Sequence, residues 1–242
     1  MNNLMKILAA NRGKGVFRAE KAADEATLYL YDVIVDSDAE AEWWGGVSPQ
    51  AFIKQLKDIS AKTIHLRVNS PGGSVFGARA IEQAIREHDA TIIAHVDGYA
   101  ASAASFLIMA ADEITMAPGA FLMIHKAWTM AYGNSDDLTK TAALLDQIDG
   151  SLVKTYAART GMDAEKIAAM LADETWIDAE EAVKLGFANS IAAEQTKNTA
   201  PAWDLSAYEK APAAPSAEDP PPKDKAPSPE DLQQDPQPDP QL

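Results

Sequence analysis

The sequence predicts an α/β domain followed by a tail that cannot fold, and three observations carry that expectation. Extended runs rich in β-branched and aromatic residues alternate with segments whose apolar residues recur every third or fourth position. The alternation gives way to one unbroken stretch of helical spacing over residues 135–159. Beyond it, eleven of the 14 prolines fall between Pro201 and Pro240.

Taken in order, residues 1–25 form an N-terminal segment without a clear period. Thr27-Leu28-Tyr29-Leu30-Tyr31-Asp32-Val33-Ile34-Val35 reads as a strand. Ser48-Pro49 then caps and opens a helix that carries Phe52, Ile53, Leu56 and Ile59 on one face. A strand over 63–68, a helix over 74–88, a strand over 91–96, a helix over 100–110 and strands near 113–116 and 121–125 follow. Over 135–159, Leu138, Ala142, Leu145, Ile148, Leu152 and Tyr156 keep a helical interval, so this is one long helix.

The predicted organisation is therefore an N-terminal segment (1–25), a folded domain (26–195) and a proline-rich acidic tail (196–242) expected to be disordered. Such a tail cannot bury enough apolar surface to offset the entropy of ordering it. A chain ending near Ala200 is expected to fold with an unchanged melting temperature. Trp203, Leu205 and Tyr208 are the only sizeable apolar cluster in the tail. Three roles stay open for them: docking on the domain, a short recognition element, or part of a solvated linker.

Composition bounds the function classes. With 242 residues, 47% of them hydrophobic, there is enough chain for one core of fair size. A formal charge of −15 argues against nucleic acid as a direct partner, because phosphates would be repelled. No apolar run approaches a membrane span, and the apolar stretch at the N-terminus is too short for a signal peptide, so the expected compartment is the cytoplasm. The absence of cysteine excludes a disulfide framework and a thiol nucleophile.

The chemistry concentrates at three places. Ser102 follows Asp97-Gly98-Tyr99-Ala100-Ala101 and precedes a small-residue helix, a layout that aims a serine off a tight strand-to-helix turn. A serine hydroxyl needs a base and an oxyanion site before it becomes a nucleophile. Asn69-Ser70-Pro71-Gly72-Gly73-Ser74-Val75 supplies adjacent glycines whose amides stay uncovered, and Phe121-Leu122-Met123-Ile124-His125 is an apolar strand that ends on a histidine. Ser105, one helical turn beyond Ser102, is the rival nucleophile but is too deep in the helix. His65, His88 and His95 lack such a context and read as structural.

These blocks resemble the ClpP peptidases in order and spacing. The resemblance rests on Asn69 to Val75, on Gly98-Tyr99-Ala100-Ala101-Ser102, on Met123-Ile124-His125, on Trp176-Ile177-Asp178-Ala179-Glu180-Glu181-Ala182 and on Leu185-Gly186-Phe187-Ala188, and it covers roughly residues 26 to 192. Thr175-Trp176 is more similar to the ClpP-related proteases of tailed bacteriophages than to the housekeeping enzyme. The resemblance implies a crotonase-like ββα superhelix, which alternation alone does not distinguish from a doubly wound sheet, and makes the 135–159 helix a handle through which two rings meet.

By that resemblance Ser102 is the nucleophile, His125 the base, and the Gly73 and Ala103 amides the oxyanion donors, with Gly72 and Val75 completing the substrate-binding turn. Each oxyanion donor is typically worth about 2.7–4 kcal/mol of transition-state stabilisation. Ungapped matching puts Glu174 at the third triad position, with Asp173 adjacent as the reserve. The resemblance further implies a polypeptide substrate, self-assembly into a ring-type homo-oligomer, and no metal or organic cofactor. As a partner it implies an ATP-dependent unfoldase, which this chain does not encode, or phage scaffold or capsid protein. Three competing readings share part of the pattern: a signal-peptide-peptidase-like enzyme with a lysine base and membrane anchor, a crotonase-type acyl-CoA enzyme, and a non-catalytic assembly subunit.

Overall fold

Alternating burial builds the sheet. The computed structural model describes residues 3–22, 24–193 and 202–212. In β1 (Val16–Lys21) and β2 (Glu25–Tyr31), paired antiparallel, Ala26, Leu28 and Leu30 of β2 face the core while Tyr29 and Tyr31 lie half-buried on the opposite face. β3 (Thr63–Ser70) and β4 (Thr91–Ala101) continue the sheet in parallel, burying Ile64, Leu66 and Val68 and then Ile92, Ala94 and Val96.

β4 has two successive neighbours on one side. Its residues 93–96 pair in parallel with β5 (Glu113–Met116), and its residues 99–101 pair with β6 (Phe121–Ile124). β7 (Thr175–Asp178) runs antiparallel to β6, and β8 (Ser190–Ile191) runs parallel to β5, giving eight strands among the described residues. The register shifts between Val68 and Ser70, where the Tyr99 amide donates to Asn69 Oδ1 at 3.0 Å. Gly98 makes this close approach available, since a Cβ there would lie 2.7 Å from that oxygen.

The helices are α1 (Asn3–Asn11), α2 (Asp38–Trp44), α3 (Pro49–Lys57), α4 (Val75–Arg86), α5 (Ala103–Leu107), α6 (Ser135–Thr160), α7 (Ala164–Ala172) and α8 (Ala179–Lys184). Ser48 caps α3 by accepting from the Ala51 amide at 3.0 Å, with Pro49 just inside the first turn, and Ser74 caps α4 by accepting from Gly77 at 2.9 Å. A capping box of Asn134 and Asp137 starts α6, and Gly161, at φ 70°, ends it. Phe52, Ile81, Phe106, Tyr156 and Phe187 anchor one core against the sheet. No helix of the described residues is long and apolar enough to cross a membrane.

Helix α6, roughly 39 Å long at 1.5 Å per residue, buries only Leu152 and Tyr156 of its 26 residues. Its C-terminal half is tied to α4 by Arg79, which donates to Thr155 Oγ1 at 2.9 Å and Ser151 Oγ at 3.0 Å. Its first turns stand clear, with Leu138 47% exposed.

The structure departs from the sequence expectation in three places. Residues 1–25 are not merely a preceding segment, because α1 packs on the domain and β1 extends the sheet. The strand expected over 91–96 runs on to Ala101, and the helix expected over 100–110 shrinks to α5 and a 3-10 turn over Ile108–Ala110; pairing with β6 holds residues 99–101 extended. Part of the tail expected to be disordered over 196–242 is ordered. Residues 202–212 form an irregular strap in which Trp203, Leu205 and Tyr208 are buried against Ile7, Leu8, Val33, Val35, Ala101 and Met123. The rest of the tail lies outside the described residues.

Candidate active site

Ser102 sits where β4 ends and α5 begins, with its amide donating to Met123 O of β6 at 2.8 Å. The turn forces φ to 53°, a conformation that costs a non-glycine residue about 1–3 kcal/mol. Buried alanines on both sides (Ala100, Ala101, Ala103, Ala104) let the surrounding chain close around this turn. The pairing Ala101↔Met123 places the residues just beyond, Ser102 and His125, side by side. The Ser102 hydroxyl meets His125 Nε2 at 2.7 Å.

The glycine turn lies directly against this pair. A Cβ on Gly72 would stand 2.5 Å from Ala101 O, 2.9 Å from Ser102 Cβ and 3.0 Å from the Ala103 nitrogen, so only glycine fits. Gly73, at φ 140°, is pressed onto residue 34, where a Cβ would approach Ile34 O to 2.0 Å. The turn is pinned there by Ile34 N to Gly72 O and Ser74 N to Ile34 O, both 2.8 Å. Neither the Gly73 nor the Ala103 amide donates to another backbone group among the described residues. Ser105 is fully buried and bonded to Ser102 O and Tyr156 Oη, both at 2.7 Å, so it stays in the helix interior.

Desolvation lowers the pKa of His125 from 6.5 to about 4, against an upward pull from the negative charge of Glu174. His125 is thus neutral at pH 7, as a proton acceptor must be. Glu174 adopts a positive φ of 47°, and it and Ser102 are the only non-glycine residues to do so among those described. Its carboxylate, however, does not hydrogen-bond the imidazole. It accepts instead from the Glu209 amide at 3.1 Å, the Lys210 amide at 2.6 Å and Trp176 Nε1 at 3.3 Å. Asp173 points outward and pairs with Lys210 Nζ.

A cavity of about 220 Å³ opens beside Ser102 and His125. Gly73 and Val75 border it from the glycine turn, and Trp128, Leu144, Leu145 and Ile148 make its apolar wall. Leu145 and Ile148 thus face the site, where the sequence had placed them only on a helix stripe. Asp36 also lines the cavity and accepts from the Ser74 hydroxyl. Sequence reasoning missed Asp36, Trp128 and the closeness of Tyr208 to His125. The signal available was the apolar cluster in the tail. His88 bonds Leu56 O and the Ala90 amide, and His65 bonds His95, so these three histidines are engaged elsewhere. Among the described residues no cluster of acidic or histidine side chains is placed to hold a metal ion.

The sequence model of the family described as Clp protease matches residues 30–195, more than half of the chain. The chain belongs to the Clp protease family. Membership implies a peptidase, and the eight-stranded α/β architecture fits the Clp protease fold. Ser102, His125, Glu174 and the glycine turn all fall inside the Clp protease match. Helix α1, strand β1 and the 202–212 strap, which pack around it, fall outside.

Proposed function

We propose that this chain is a serine endopeptidase of the ClpP type. The observation that carries the reading is the 2.7 Å contact of Ser102 Oγ with His125 Nε2 on a strained turn flanked by two glycines. In the reaction the Ser102 oxygen attacks the scissile carbonyl carbon while its proton passes to His125 Nε2. The Gly73 and Ala103 amides take up the negative charge that develops on the carbonyl oxygen. The intermediate collapses, the C–N bond breaks, and the amine leaves with the proton from His125. Water, giving its proton to His125, then hydrolyses the acyl-enzyme.

Glu174 is the third member, acting on the imidazolium through its charge; Asp173, turned to Lys210, has no such reach. An extended substrate lies against Gly73 and Val75 by strand addition, with an apolar side chain in the pocket of Trp128, Leu144, Leu145 and Ile148. Family members assemble as rings, and the exposed first turns of α6 support its use as the handle between two rings of this chain. Thr175-Trp176 favours a phage-type role in scaffold or capsid processing, with an unfoldase as the alternative partner, in the cytoplasm of the cell.

The test is a fluorophosphonate probe followed by mapping of the modified residue. Labelling at Ser102, abolished in Ser102→Ala together with cleavage of casein, is the expected result; losing a triad nucleophile typically costs about 10⁶ in kcat. Cleavage by Ser102→Ala within tenfold of the parent protein would remove Ser102 from the mechanism.

A further inference from the structure

The strap of residues 202–212 meets the site at several independent points. The Tyr208 ring stands edge-on to the His125 ring, with centroids 5.5 Å apart and planes at 88°, and edge-on to Trp176 at 5.9 Å. The Tyr208 hydroxyl donates to Pro71 O, in the turn that carries Gly72 and Gly73. Trp203 Nε1 donates to Asn69 O at 3.0 Å, at the end of β3 that leads into the same turn. The next two amides after Tyr208, those of Glu209 and Lys210, hold the Glu174 carboxylate. Asn11 at the end of α1 fixes the strap by bonding both Asp204 O and the Asp204 amide, at 2.9 and 2.7 Å.

The geometry points to the strap as a built-in part of the active site, in which Tyr208 is a positioning residue that locks the His125 ring to the glycine turn while the Glu209 and Lys210 amides fix Glu174. This rests on the serine-peptidase reading above. A blocking plug would have to occupy the substrate cavity. No strap residue lines that cavity, whose walls come from residues 36, 73–76, 102, 125, 127–129, 141, 144, 145 and 148. The strap therefore backs the catalytic groups from the other side. One residue ties the base to the oxyanion turn: its ring supports the imidazole and its hydroxyl satisfies a carbonyl of that turn. Burial raises the Tyr208 pKa, so the phenol keeps the proton it donates.

Full-length Tyr208→Phe and Tyr208→Ala, compared with the parent protein, separate this from a general structural role. Tyr208→Phe keeps the packing and removes the hydroxyl that bonds the glycine turn and also interacts with the Ser102 side chain. Its kcat and its rate of fluorophosphonate labelling at Ser102 are expected to fall roughly fivefold, the worth of one hydrogen bond, with KM unchanged. Tyr208→Ala also frees the imidazole, and a misplaced catalytic group costs roughly 10²-fold in kcat.

The groups around His125 are Ser102, Glu174 and Tyr208, with Asp36 in the shared cavity and the Lys126–Asp149 pair one residue on. Of these only Tyr208 changes, and opening its place to water moves the acid limb of the labelling rate from about pH 4 upward toward 6.5 in the Ala variant alone. Parent protein labelled at Ser102, with both variants keeping its labelling rate and pH profile, overturns the strap's role and leaves the peptidase reading standing. A parent protein that does not label at Ser102 overturns both. If Tyr208→Ala does not fold, Tyr208→Phe decides: kcat equal to that of the parent overturns the proposal.

Discussion

His125 resists protonation because its surroundings desolvate the imidazolium, and that sets how the site responds to acid. The base works only when neutral, so kcat/KM is expected to hold from pH 7 down to about 5 and to fall as pH approaches the pKa of about 4, measured with a small peptide over the range where near-UV circular dichroism is constant. His95, pushed down to about 4 by desolvation and then by Arg67, adds a stability effect of the same sign. Both imidazoles bind protons more weakly in the folded than in the unfolded chain. Their contribution is fully present above about pH 6.5 and is lost as pH falls through about 4, so urea midpoints should drop between those limits. The two carboxylates of the site make a second contrast. Because Glu174 reaches His125 by charge alone, Glu174→Gln should lower kcat about tenfold, well short of the roughly 10⁴ expected of an acid bonded directly to the imidazole. Asp173→Asn should leave kcat within about twofold, since exposed ion pairs such as the one it makes contribute little. A reversed ranking in steady-state kinetics would move the role to Asp173.

At the scale of elements, what the sequence revealed depended on whether an element's own side chains or its neighbours' hydrogen bonds decide its state. Helix α6 was legible because its period, its Asn134 cap and its Gly161 stop agree locally. Strand β1 was not: Val16-Phe17-Arg18-Ala19-Glu20-Lys21 buries none of its side chains fully and is extended because it pairs with β2. Asp97-Gly98-Tyr99-Ala100-Ala101 likewise carries little strand preference and is held extended by β3 and β6. In the site, Ser102, His125 and the glycine turn were legible as ordered motifs, whereas in the proline-rich tail docking of Trp203, Leu205 and Tyr208 on the domain was one of three open roles and is the one the structure shows. Two positions on α6 also separate experimentally. Leu145→Asp puts a charge in the apolar wall of the cavity and should lower kcat/KM about tenfold for substrates with an apolar side chain there, because binding would press that side chain against a charge. Leu138→Lys, on the exposed first turn, should leave cleavage of small peptides unchanged and shift sedimentation toward smaller species if α6 is the handle. The opposite assignment in those two assays would put the assembly contact at the cavity end.

For the whole molecule, residues 202–212 pack on the domain, and this reverses what a truncation should do. A chain ending at Ala200 loses Trp203, Leu205 and Tyr208, buried to 5–7% exposure, and uncovers Ile7, Leu8 and Met123. The lost burial and the newly uncovered apolar patch should lower the melting temperature, and for a chain of this size each kcal/mol of stability moves it by roughly 2–4 °C. A chain ending at Pro212 keeps every contact described and should melt with the full-length protein. Activity should follow the same boundary, because the amides of Glu209 and Lys210 leave with the shorter truncation and Glu174 loses two of its three donors. Calorimetry and peptide cleavage on the two truncations, with the full chain as reference, check both statements. A chain ending at Ala200 that melted and cleaved like the full-length protein would show that the strap adds nothing to the fold or the site.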